Sequence, residues 1–148
     1  SLYIPLIIWR SCGLRSKSME TPKHLSHTPI VSWNDYDEYD AKFKHSDAKA
    51  LSIGYSTYDN SDISVKVWRK PAERWSRQSE ELPIHRNLDL TILLLSVLTN
   101  SMQSEMSVDM EGGIGVIQKF CSTEVDNGEI QNRLTKIHDL LNRYLNNV

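Results

Sequence analysis

The sequence predicts a small α+β domain: an antiparallel sheet packed on a central apolar helix, with further helices towards the C-terminus. Two stretches of alternating apolar and polar residues, joined by a turn-rich segment, predict a β-hairpin. The stretch after them has the apolar spacing of a buried helix, and the end of the chain has that of an amphipathic one. The 148 residues are enough for one such domain around a single core.

The composition is that of an ordinary globular protein. Hydrophobic residues make up 39% and charged residues 24%, and the net charge of −2 calls for neither nucleic acid nor an anionic membrane. Cys12 and Cys121 fit neither a disulfide framework nor a zinc site, which favours a reduced, cytoplasmic setting. His24 and His27 lack a helix and further ligands, so we predict no metal site, and nothing indicates a cofactor.

Residues 1–18 are predicted to be an upstream extension. Their apolar run, from Leu2 to Trp9, comes before the basic residues, which reverses the order of a secretory signal. The run is also far shorter than the roughly 20 residues that span a bilayer. We therefore expect the domain to occupy residues 19–148 and the extension to be poorly ordered or loosely docked, with a short interfacial anchor as the alternative.

The predicted sheet begins with a short strand at Pro29–Trp33, followed by a short helical turn in NDYDEYDAKFKHSD. The hairpin occupies residues 51–57 and 63–68, where apolar and polar residues alternate with a period of two. A less regular run at about residues 74–80 predicts another antiparallel strand. The result is a meander with one face towards a core.

The central helix is predicted from Ile84 to about Gln103, with Pro83 where a helix begins. Leucines make its middle apolar nearly all round, so it is expected to be buried on more than one side. The apolar face of the last segment, Ile130 to Val148, is one candidate cover. A second copy of the protein is the other, giving a homodimer through the apolar helix. Between the two helices we expect a short one at about residues 115–122.

The polar stretch RWSRQSEELPIHR, residues 74–86, is the candidate site. A cation in the first turn of a helix costs about 0.3–1 kcal/mol unless an anion is near, so His85 and Arg86 need negative charge. Either nearby glutamates neutralise the arginines and join strand to helix, or the cations and helix amides hold a phosphate or carboxylate. The candidate ligand-binding residues are Arg74, Trp75, Arg77, Gln78, Glu80, Glu81, His85 and Arg86.

Two other functions have weaker support. Basic residues interleaved with tryptophan from Lys66 to Arg77 are typical of proteins that bind single-stranded nucleic acid, but the net charge of −2 argues against that partner. EGGIGVIQK lacks the order of a phosphate-binding glycine loop, and neither cysteine lies in a nucleophile motif. The sequence therefore assigns no reaction and leaves open whether the protein is an enzyme.

Two runs carry a resemblance to a known family: D-A-K-x-L-S-x-G, from Asp47 to Gly54, and W-S-R-Q-S-E-E-x-P-x-H-R, from Trp75 to Arg86. With them, the chain over about residues 23–100 resembles a family of small, mostly bacterial proteins classed as a domain of unknown function. The resemblance implies no reaction. It directs attention to the polar residues of the second run.

These observations favour a non-catalytic, cytoplasmic binding or interaction module without a membrane partner. Its contact face would be the 74–86 region and the hairpin surface. The alternative is a small enzyme or binding protein for an anionic metabolite. In that case Arg77 and Arg86 would act as clamps, and His85 or Glu81 as the proton carrier.

Overall fold

The computed structural model describes residues 27–40, 46–76, 79–122 and 128–147. These residues form four strands and four helices, which confirms the α+β class. The predicted extension at residues 1–18 and the candidate residues Arg77 and Gln78 lie outside the described residues. The elements are β1 (Thr28–Trp33), α1 (Tyr36–Tyr39), β2 (Ala48–Tyr55), β3 (Ile63–Arg69), β4 (Glu81–Pro83), α2 (Ile84–Leu98), α3 (Gly113–Phe120) and α4 (Glu129–Asn146).

The sheet is antiparallel throughout, with its strands in the order of the chain, β1-β2-β3-β4. The predicted first strand, helical turn and hairpin are confirmed. Asp59 shapes the hairpin turn, because its carboxylate accepts hydrogen bonds from the backbone N–H of Ser61 at 2.9 Å and from its hydroxyl at 2.7 Å. The turn therefore uses the residue types that predicted it.

The strand predicted at about residues 74–80 is wrong. The fourth strand is Glu81–Pro83, whose Leu82 lies opposite Val65 of β3. The described residues before it, 74–76, 79 and 80, are irregular: Ser76 donates its backbone N–H to the Arg69 carbonyl at 2.7 Å, and the Ser79 hydroxyl accepts from the backbone N–H of Arg69 at 3.2 Å. These bonds turn the segment back across the end of β3, so its weak alternation does not become a ladder.

Helix α2 begins directly after Pro83, as predicted, but ends at Leu98, earlier than the expected Gln103. Asn100 adopts a left-handed conformation with φ 55°. Its N–H bonds to the Val97 carbonyl, and the N–H of Ser101 bonds to the Ser96 carbonyl at 2.7 Å. This pair of bonds is the Schellman motif, in which a left-handed residue stops the helix and satisfies its last carbonyls.

The chain divides into two compact units, one up to Leu88 and the other from Asp89. The first contains the sheet and α1. In the second, Gln118 of α3 donates its amide to the Val97 carbonyl of α2 at 2.9 Å. Packing of the sheet on the apolar helix stays a prediction. Among the described helices, none combines the length and the apolar character that crossing a bilayer requires.

The two faces of the sheet differ sharply. The inner face, defined by Ser52, Gly54, Ser64, Lys66 and Trp68, is buried. The register of β2 on β3 pairs these residues with one another across the strands, and it pairs the apolar residues in the same way on the other side. The apolar face, which is only partly buried, consists of Val31, Trp33, Leu51, Ile53, Val65, Val67 and Leu82.

Candidate functional site

A buried polar network crosses the inner face, with one residue from each strand or its start. His27, directly before β1, is fully buried. Its Nε2 lies 2.9 Å from the Ser52 hydroxyl of β2, and its Nδ1 lies 2.9 Å from the Ser64 hydroxyl of β3. The same Nδ1 is 3.4 Å from a carboxylate oxygen of Glu81 in β4. The network therefore connects all four strands through side chains.

The donors and acceptors of this network fit a single arrangement of protons. The indole N–H of Trp68 donates to the Ser52 hydroxyl at 2.8 Å, which leaves the hydroxyl proton of Ser52 available to donate to Nε2 of His27. His27 then carries its proton on Nδ1 and donates towards Ser64. The Ser64 hydroxyl donates to Glu81 at 2.7 Å. In this arrangement each hydroxyl accepts one bond and donates one, and His27 is the neutral Nδ1–H tautomer, in agreement with its lowered pKa.

Glu81 is the acceptor at the end of this chain of hydrogen bonds. Thr57 donates to it twice, from its backbone N–H at 2.9 Å and from its hydroxyl at 2.6 Å. Burial raises the pKa of the Glu81 carboxyl, but the hydrogen bonds from Thr57 and Ser64 outweigh that effect and lower the pKa to about 2. Glu81 is therefore an ionised acceptor that fastens the end of β2 to β4.

The positive charge of the inner face belongs to Lys66, whose ammonium lies 4.5 Å from the ring centre of Trp68. Burial lowers the pKa of Lys66, and the nearby Glu81 partly offsets that shift. Burial likewise lowers the pKa of His27, with Glu81 acting in the opposite direction. A neutral His27 agrees with the tautomer that the hydrogen bonds require.

The positions of Ser52, His27 and Glu81 resemble those of a nucleophile, a base and an acid. Two features argue against catalysis at this point. The Ser52 hydroxyl already accepts the indole N–H of Trp68, and only 5% of Ser52 is exposed. Because a substrate could not reach the hydroxyl without opening the sheet, we interpret the network as a structural one.

A second cluster lies at the end of β3, where Arg69 binds two acids. Its guanidinium contacts Asp47 at 2.5 Å and Glu80 at 2.7 Å. Hydrogen bonds to Glu80 and then to Asp47 raise the pKa of Arg69. Hydrogen bonds from Arg69 lower the pKa of Glu80. The acid Glu80 therefore pairs with Arg69, which the sequence did not single out as its partner.

The six candidate residues that the structure describes do not form one group. Glu80 pairs with Arg69, Glu81 belongs to the buried network, and Trp75 packs edge-to-face against Trp68 with 6.2 Å between the ring centres. The other three, Arg74, His85 and Arg86, are exposed. Within the ranges that the structure describes, no acidic side chain forms an ion pair with any of them. The predicted neutralisation of Arg86 by Glu80 or Glu81 is therefore wrong.

Sequence reasoning missed the centre of the network. His27 was considered only as a metal ligand, yet its partners lie 25 and 37 residues away in Ser52 and Ser64. The available signal was that Ser52 and Ser64 occupy corresponding places in the two hairpin strands. Across the described ranges, no three His, Cys, Asp or Glu side chains are grouped so that they could hold a metal ion.

The apolar face carries a pocket of about 430 Å³ within the first unit. Trp33 forms part of its wall and is held by the aromatic rings of α1, with 4.8 Å to Tyr39 and 5.4 Å to Tyr36. The polar residues of the lining are Ser32, Ser52, Lys66, Glu80 and Asn87. The remaining side chains that line it belong mainly to the apolar face, and they include Val31, Leu51, Ile53, Val65, Val67 and Leu82.

The comparison with protein families agrees with the resemblance that the two sequence runs indicated. The model of a protein family, described as "Family of unknown function (DUF6530)", matches residues 19–111. The match covers more than half of the chain and includes the whole sheet and α2. Searches of curated proteins and of solved structures found no match.

Proposed function

The chain belongs to this family of unknown function, and we propose that it is a non-catalytic binding module that uses the apolar face of its sheet. The observation that carries the proposal is the 430 Å³ pocket, to which all four strands contribute. Sites for small molecules have volumes of about 300–1,000 Å³ and are mostly apolar with a few polar groups. The hairpin surface thus supplies the contact face.

The lining favours a small, largely apolar ligand with one hydrogen-bond donor. Six of its side chains are aliphatic, namely Val31, Leu51, Ile53, Val65, Val67 and Leu82. Two charged residues line the pocket: Lys66 is buried, whereas the Glu80 carboxylate is half-exposed and can only accept hydrogen bonds. A ligand with an amine or hydroxyl at one end would satisfy both parts of the pocket.

Alkyl probes with different head groups test this proposal. We expect octylamine to bind more tightly than octanoate in isothermal titration, because the half-exposed Glu80 carboxylate can accept a hydrogen bond from an ammonium group but not from a carboxylate. Ile53→Asn should weaken octylamine binding by at least about tenfold, equivalent to about 1.4 kcal/mol. Ile53 is 43% exposed, so the substitution leaves the fold intact.

Val116→Asn is the matched control, since Val116 is an exposed apolar residue of α3 that is not part of the lining of this pocket. Octylamine binding should be unchanged in that variant. Binding that is absent, or that both variants weaken equally, would overturn the assignment of the ligand to the apolar face.

A second candidate function is the binding of an anionic small molecule by Arg74, His85 and Arg86. One observation favours it: the two glutamates that were expected to neutralise these cations are engaged elsewhere, with Arg69 and with the buried network. Inorganic phosphate should then raise the melting temperature of the wild type but not that of Arg86→Ala. Arg143→Ala, in the last turn of α4, is the control that should still respond.

The setting proposed for this module is the cytoplasm. Support comes from the two cysteines of the sequence, which form no disulfide framework, and from Cys121, whose thiol is free. Labelling with an impermeant thiol reagent in intact and lysed cells tests it, since only lysis should expose a cytoplasmic Cys121.

A further inference from the structure

Helix α4 carries the heptad spacing of a coiled coil. Its apolar residues are separated by steps of four and three, which places them on a single seam with a period of 3.5 residues. Leu140 and Leu145 flank this seam. The seam residues are Ile130, Leu134, Ile137, Leu141 and Tyr144.

The seam is uncovered towards the C-terminal end of the helix. Leu141 is 51% exposed and Tyr144 is 68% exposed, whereas Ile130 and Leu134 are half-buried. Single exposed apolar residues are normal on a protein surface, but a continuous apolar stripe on one helix face indicates an interaction surface. A partner helix whose apolar residues have the same spacing would cover this stripe.

The charges beside the seam are balanced within the helix itself. Arg133, which borders the seam, is held by Glu129 of the preceding turn at 2.6 Å. Lys136, Asp139 and Arg143 lie on the other side of the helix by their spacing. No unbalanced full charge therefore borders the seam in the described part of α4, and two identical seams can meet without repulsion.

Helix α2 lacks such a seam, although it was the predicted site of self-association. Its exposed apolar residues include Leu88, Leu90, Ile92 and Leu93, which point in several directions around the helix. A two-stranded contact needs one narrow stripe, and α4 provides it.

We propose that α4 pairs with α4 of a second copy of this chain, forming a two-stranded coiled coil in a closed dimer. A second copy fits because it presents the same exposed seam residues, Ile137, Leu141 and Tyr144, and a two-fold symmetric contact uses the same patch on both partners. The proposal is independent of ligand binding at the apolar face.

Sedimentation equilibrium of the full chain over a range of concentrations tests the dimer. Leu141→Lys, in the seam, should raise the dissociation constant by at least about tenfold. Asn142→Lys adds the same charge one residue further, outside the seam, and should leave the dissociation constant unchanged. Circular dichroism checks that both variants remain folded, and Tyr144→Lys, at a more exposed position, gives a second seam substitution.

Three results would overturn the proposal. The first is a wild-type protein that stays monomeric at every concentration. The second is a dimer that stays intact in both seam variants, Leu141→Lys and Tyr144→Lys, whether or not Leu90→Lys in α2 dissociates it. The third is equal weakening by Leu141→Lys and Asn142→Lys, since only a seam contact distinguishes the two positions.

Discussion

The two faces of the sheet divide the residues of the hairpin in an unexpected way. The inner face contains serines, a lysine and a histidine, and it is buried. The apolar face contains valines, leucines and isoleucines, and it lines a pocket. Alternation in a sequence shows that a strand has two faces, but hydrophobicity alone does not decide which of them is covered.

The inner face tolerates its polar groups because they satisfy one another. A buried donor or acceptor without a partner costs about 1–3 kcal/mol, whereas a satisfied pair is modestly favourable. The network bonds every polar atom of His27, Ser52, Ser64 and the Trp68 indole. Trp68, fully buried at the centre, supplies the apolar area that such a face otherwise lacks.

Among the substitutions that compare the two faces, Gly54→Ala on the inner face should have the largest effect on stability. A Cβ at Gly54 would lie 2.0 Å from the Thr28 carbonyl oxygen, so β1 would have to move away from β2. We expect the free energy of unfolding, measured in urea, to fall by about 3 kcal/mol or more.

Gly115→Ala is the matched control for that substitution. A Cβ at Gly115 meets no atom within 4 Å, and the residue lies inside α3. Alanine should therefore leave stability unchanged or raise it by up to about 1 kcal/mol. If both alanines change the free energy of unfolding equally, the close approach of β1 to Gly54 does not exclude a side chain at that position.

The next largest effect is the loss of stability in acid. The pKa of Glu81 is about 2 in the folded state and 4.5 as its ordinary value, so its contribution is complete above pH 4.5 and is lost as the pH falls through about 2. The loss is on the order of 3 kcal/mol. His27 acts with the same sign at higher pH, because its lowered pKa makes protonation below 6.5 favour unfolding.

Urea unfolding at a series of pH values measures this dependence. The informative quantity is the difference between the wild type and Glu81→Gln, since Glu80 contributes a slope of its own. The difference should shrink as the pH falls from about 5 towards 2. A constant difference over that range would show that Glu81 is not the ionised acceptor of the network.

At neutral pH, Glu81→Gln should cost about 2 kcal/mol, because the amide turns a donor towards groups that already donate. These groups are the Ser64 hydroxyl and the backbone N–H of Thr57. Glu80→Gln, the neighbouring residue with a half-exposed carboxylate, removes a surface ion pair and should cost about 1 kcal/mol or less. If Glu81→Gln and Glu80→Gln destabilised the protein equally, the buried carboxylate would contribute no more to stability than the half-exposed one.

The elements that the sequence predicted correctly depend on local spacing. The hairpin, α1, α2 and α4 follow from periods of two or of about 3.6 residues and from turn formers such as Asp59. The strand at 74–80 failed because the pairing with β3 depends on where Ser76 and Ser79 bond, which no local pattern encodes.

The candidate site was predicted only in part, for a related reason. Charge balance selected Glu81 and assigned it an arginine, but the structure gives it two hydroxyls and a backbone amide. Neutral donors can satisfy a carboxylate as fully as a cation does. Because Thr57 and His27 lie 24 and 54 residues away from Glu81, only the strand order brings them together.

The smallest expected effect is that of Val31→Thr on the apolar face. Val31 is 62% exposed, and threonine keeps its shape, so the free energy of unfolding should change by no more than about 0.5 kcal/mol. On the inner face, Ser52→Ala should cost about 1–3 kcal/mol, because it leaves the Trp68 indole N–H and Nε2 of His27 without a partner. Urea unfolding of both variants ranks the two faces directly. If the exposed valine proves more costly to replace than the buried serine, the apolar face is the one that holds the sheet together, and a ligand pocket there has to be abandoned.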